Sequence, residues 1–92
     1  MSLKVHSVTQ HGGALIYVNN RLKFFERIRH VETKGKGQYV IYRDNFDEPF
    51  VIEGGKARGG SRTDWFVDGP GIPSDGIRAR SLIDGLNLVN EL

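Results

Sequence analysis

The sequence predicts a small α+β domain: a strongly twisted antiparallel sheet of about five strands with one C-terminal helix packed on a face. Three observations carry this expectation. Twelve glycines cut the 92 residues into short apolar runs, a spacing that suits strands rather than long helices. Several of those runs are rich in β-branched and aromatic residues. Only the last segment has helical periodicity, so strands come first and the helix last, an order that argues against βαβ units and a parallel sheet. The length suits one domain over residues 1–92, and a chain this small buries a modest fraction of its surface.

The elements follow in order. Leu3 to Thr9 reads as a first strand with loose alternation, and Gln10 to Gly13 as a turn. Ala14 to Val18 is a continuous apolar run of strand length. It ends in Asn19-Asn20, and Asn tolerates the left-handed backbone of a tight hairpin. Arg21 to Thr33 reads as a second hairpin arm. Its even positions, Leu22, Phe24, Glu26, Ile28 and His30, are mostly apolar, and its odd positions, Arg21, Lys23, Phe25, Arg27 and Arg29, are mostly basic. Alternate side chains of a strand face opposite ways, so this pattern predicts one core face and one cationic face with Phe25 on it. A helical stripe of Phe24, Ile28 and Val31 competes and is broken by Arg27. The preceding turn favours the strand, and a break near Glu26 is compatible with it.

Lys34-Gly35-Lys36-Gly37 reads as a flexible hairpin tip. Gln38 to Arg43 is the clearest strand, and Asp44-Asn45 begins a turn. Pro49 interrupts before a short strand over Phe50 to Glu53. Gly54 to Arg62 reads as a loop and Thr63 to Asp68 as the last clear strand, paired with the previous one. Gly69 to Gly76 holds two prolines and cannot be regular. In the final helix Ser81 fits the N-cap with Asp84 three residues on. Leu82, Leu86 and Val89 form an apolar stripe that Ile83 widens, and these four are expected to be buried against the sheet. Gly85 weakens this helix by about 1 kcal/mol relative to Ala.

Composition excludes several functions. There is no cysteine, so disulfides, thiolate metal sites and cysteine nucleophiles are ruled out, and a cytoplasmic location is expected. No run approaches the ~20 apolar residues of a membrane span, so no membrane partner is expected. No signal-peptide pattern is read at the N-terminus. His6, His11 and His30 are too scattered for a ligand pair. The loop Gly54 to Ser61 nearly matches the phosphate loop, but Gly60 stands where its lysine should be, and a strand follows where a helix is required. Ser61 lacks the nucleophile-elbow frame. The expectation is no cofactor, no metal and no catalytic residue. A metal-dependent nuclease built on Glu26, Glu32 and Lys34 is the remote enzymatic alternative.

Charge is unevenly placed. Residues 1–43 carry eight Lys and Arg against two acids, and residues 44–92 carry five against nine. Such asymmetry marks a face for an anionic partner, or lets the two halves attract each other. The candidate nucleic-acid-binding residues are Arg21, Lys23, Arg27 and Arg29 on the cationic strand, with Phe25 among them to stack on a base. Lys34 and Lys36 at the hairpin tip and Lys56, Arg58 and Arg62 on the glycine-rich loop join them as phosphate contacts. Of Trp65 and Phe66, alternation sends one ring to the core and the other outward. The expected function is a non-catalytic binding module leaning toward DNA or RNA. The alternative is a protein-interaction or regulatory domain, including a homodimer.

Overall fold

The computed structural model describes the backbone of residues 3–8 and all of residues 13–18, 20–35, 37–54 and 64–92. It is an α+β fold of two antiparallel sheets and one helix packed on the larger sheet. The smaller sheet holds β1 (Leu3–Val8), β2 (Ala14–Val18) and β3 (Arg21–Phe25), in that order. The larger holds β4 (Ile28–Gly35), β5 (Gln38–Arg43), β6 (Phe50–Gly54), β7 (Trp65–Asp68) and β8 (Ile77–Ala79), also in chain order. Helix α1 spans Leu82–Glu91.

Turn chemistry sets the pairings. Asn20 takes φ 64°, and Val18 pairs with Arg21 across a two-residue hairpin turn. The loose alternation of the first strand has a cause in the backbone: the β1–β2 register shifts between Val5 and Ser7, the mark of a bulge. Gly37 at φ 72° closes the β4–β5 hairpin.

The run from Arg21 to Thr33 is not one strand. It breaks at a Glu26–Arg27 turn, which sends β3 to the small sheet and β4 to the large one. Beyond the break, Ile28 and Val31 both face the core, although they are three residues apart. A register shift between Ile28 and His30 accommodates that odd spacing. The short strand β8 follows the irregular Gly69–Gly76 segment and was not anticipated; its three residues carry no alternation long enough to read.

One core fills the space between the layers. Ala14, Ile16, Val18 and Phe25 of the small sheet join Ile28, Val31, Tyr39, Ile41, Phe50, Ile52, Trp65 and Val67 of the large sheet and Leu82, Leu86 and Val89 of the helix. The helix lies against β5 to β8, whereas β1 and β2 lie against β4. Helix and small sheet therefore share the inner face of the large sheet. Ser81 caps the helix, its Oγ accepting from the Asp84 N–H at 3.1 Å. Ile83 is only half-buried, at the margin of the stripe rather than in it. Gly85 has a packing reason: a Cβ there would stand 3.3 Å from two carbons of Ile52 and 3.4 Å from Val67. The glycine lets the helix backbone settle on β6 and β7.

Candidate nucleic-acid interface

The sequence-predicted site divides on folding. Arg21 and Lys23 are exposed on β3, the edge strand of the small sheet. Register pairs Val18 with Arg21, Ile16 with Lys23 and Ala14 with Phe25. All three β3 residues thus continue the inward row of β2. At the sheet edge both cations stay exposed although their positions lie on the inward row. Lys23 Nζ donates to Asn87 Oδ1 of the helix at 3.4 Å and stands 5.9 Å from the centre of the Phe25 ring.

Phe25 itself is a correction. It was expected on the cationic face, open to a stacked base, but it is 1% exposed within the core. The physical reason is the hairpin register. Once Ala14, Ile16 and Val18 point inward, their partners on β3 must do the same.

The other expected cations scatter. Arg27 sits in the turn, its backbone N–H donating to Asn90 Oδ1 at 2.9 Å and its carbonyl accepting from the Asp44 N–H at 2.9 Å. Arg29 lies on β4, in the other sheet, and its Nε donates to Asp44 Oδ1 in an ion pair. Lys34 pairs with Glu32 at 3.2 Å. The single cationic face expected for Arg21, Lys23, Arg27 and Arg29 is therefore divided between two sheets and a turn. Lys36, Lys56, Arg58 and Arg62 fall outside the described residues.

What the register brings together instead is the opposite face of the same hairpin. Leu15 pairs with Phe24, and Tyr17 with Leu22. Tyr17 is 44% exposed, Leu22 47% and Phe24 51%. Lys4 on β1 is the register partner of Tyr17. Residues 3–25 contain Lys4, Arg21 and Lys23 and no Asp or Glu, so the small sheet carries positive charge with no internal counter-charge. Gly13 seats the Phe24 ring. At φ 84° it takes a backbone conformation suited to glycine, and a Cβ there would come within 2.9 Å of Phe24 Cζ.

Tyr17, Leu22 and Phe24 were missed in the sequence because the apolar even positions Leu22 and Phe24 read as the core face, and only pairing with β2 turns them outward. The signal that locates them is the two-residue hairpin. It fixes the register, and the wholly aliphatic row Ala14-Ile16-Val18 then selects the inward side.

The outer face of the large sheet has a different character. Cross-strand pairing aligns Glu32, Val40, Val51 and Asp68 in one row and Gln38, Glu53, Phe66 and Arg78 in the next. Trp65 takes the core side of β7 and Phe66 the outer side, in accord with alternation. Three acids on this face make it the poorer of the two outer faces for an anionic ligand.

Arg43 is a buried arginine that sequence pattern did not single out. It is 4% exposed at the end of β5. Nη1 donates to the Asp44 carbonyl at 2.6 Å, Nη2 donates to the Leu92 carbonyl, and the guanidinium lies 4.9 Å from the centre of the Phe46 ring. Burial, and secondarily the nearby Arg27 charge, lower its pKa from the ordinary arginine value. Its place is structural, tying the last turn of the helix to β5. Among the described residues no cluster of His, Asp or Glu is arranged to hold a metal ion, and no helix is long and apolar enough to cross a membrane. No protein-family model, curated protein or solved structure matches the chain.

Proposed function

We propose that the protein is a non-catalytic nucleic-acid-binding module whose contact surface is the three-stranded sheet and the turn after it. The observation that carries this reading is the charge of that sheet. It has exposed Arg21 and Lys23 on an edge strand and no acidic residue between positions 3 and 25, and the turn that follows adds one exposed base, Arg27, and one exposed acid, Glu26. Phosphate contacts supply most of the affinity of such surfaces, through release of condensed counterions. The ion-paired Arg29 and Lys34 contribute less, because each already has a carboxylate partner.

The test is titration of the protein with labelled random-sequence DNA or RNA at several salt concentrations. The slope of log K against log salt is expected near −0.9 per phosphate contacted on duplex DNA, or near −0.7 on single strands. Changing Arg21, Lys23 and Arg27 together to Ala should flatten that slope by roughly one per lost duplex contact and weaken all sequences alike. Absence of binding to either form at low salt refutes the reading.

A second reading, a protein-docking surface, is favoured by Leu22. A leucine 47% exposed between two exposed rings also suits an apolar protein partner or a second copy of the chain. Leu22→Ser would then abolish a concentration-dependent association seen by sedimentation.

A further inference from the structure

We infer that Tyr17 and Phe24 form a stacking platform for two neighbouring bases of a single-stranded nucleic acid, with Leu22 packing beside them. This inference rests on the nucleic-acid reading above and goes further, naming the form of ligand and the residues that read it.

Four observations converge on it. Both rings lie on the outer face of the β2–β3 hairpin, and about half of each residue is open to solvent. They occupy diagonal positions, since Tyr17 faces Leu22 and Phe24 lies two residues further along β3. Diagonal cross-strand neighbours are about 7–8 Å apart at Cα, so the rings can engage separate bases without competing for one. Each ring is also held in place. The hairpin turn at Asn20 fixes the register, and Gly13 provides the seat against which Phe24 rests. Among the described residues neither ring stacks on another aromatic.

Charge selects the occupant. β3 is the edge of its sheet. A strand laid along that edge sets its bases on the outer rings and its phosphates toward Arg21 and Lys23 at the rim. A duplex keeps its base faces covered, so it engages the cations but not the rings.

The experiment compares a labelled single-stranded oligonucleotide with the matching duplex by fluorescence anisotropy at low salt. The wild-type 92-residue chain and four variants are used: Phe24→Ala, Phe24→Leu, Tyr17→Ala and Tyr17→Phe. Phe24→Leu keeps apolar bulk over Gly13 while removing the aromatic face, and thermal melts verify folding. Phe24→Ala, Phe24→Leu and Tyr17→Ala are each expected to weaken the single strand about 5- to 150-fold, the equivalent of about 1–3 kcal/mol per stacked base. Duplex affinity should stay within about twofold, because its contacts are to phosphate. Tyr17→Phe should retain single-strand binding.

Three results overturn the inference. If folded Phe24→Leu binds the single strand as wild type does, the ring is not stacking. If the variants lose duplex and single strand equally, the residues act on the fold or on charge placement. Both leave general nucleic-acid binding standing. If the wild-type protein binds neither form, that reading fails as well. Self-association lost in Leu22→Ser would then assign the face to a second copy.

Discussion

Phe24 and Phe25 are neighbours in sequence and opposites in environment. The first is 51% exposed over Gly13, and the second is 1% exposed in the core. Truncating a buried phenylalanine removes its transfer free energy and leaves a cavity, so Phe25→Ala is expected to cost about 3–5 kcal/mol. Phe24→Ala, made at the surface, should change stability by less than about 1 kcal/mol. Chemical denaturation of the two variants side by side checks the orientation of β3. If Phe24→Ala proves the more damaging, the strand has the opposite parity and the stacking surface is lost with it. The same contrast separates the two rings by place: one is packed in the core and the other lies at the surface.

At the scale of the element, the helix depends on its seat rather than on its propensity. Leu82, Leu86 and Val89 are fully buried, and Gly85 brings the backbone down onto Ile52 and Val67. Leu86→Ala should destabilise by about 2–5 kcal/mol, a large share of the ~5–15 kcal/mol typical of a whole domain. Gly85→Val tests the seat from the other side. It places extra atoms where even a Cβ meets Ile52 at 3.3 Å, and overpacking of this kind costs about 1–3 kcal/mol. A thermal melt of Leu86→Ala like that of the native protein would mean that the helix is peripheral. A Gly85→Val variant more stable than wild type would mean that the helix can lift off the sheet without loss.

For the whole molecule, the question is whether the basic first half and the acidic second half hold each other together. The Arg29–Asp44 ion pair joins them. The Arg29 side chain is 64% exposed, and pairs in such settings are worth about 0–1 kcal/mol. Arg29→Ala is therefore expected to lower stability by no more than about 1 kcal/mol, with a midpoint of denaturation that responds weakly to added salt. A larger, salt-sensitive loss would show that attraction between the halves stabilises the fold.

The sequence by itself determined the α+β class, the hairpin at Asn19-Asn20, the strands over Gln38–Arg43 and Phe50–Glu53, and the capped C-terminal helix with its buried leucines. These are local properties: turn chemistry, β-branched runs and helical spacing act within a few residues, so they are legible in order along the chain. Tertiary structure alone decided how the run from Arg21 to Thr33 is divided. A break at Glu26–Arg27 shifts strand parity, and a one-residue change of parity exchanges the two faces of a strand. The break dispersed the cations between two sheets. Pairing of β3 with β2 buried Phe25, exposed Phe24 and assembled Tyr17, Leu22 and Phe24 into one surface. Alternation within a strand states only that two faces exist. Which of them meets the core depends on pairing with β2 and on packing against β4 and the helix, contacts made far along the chain.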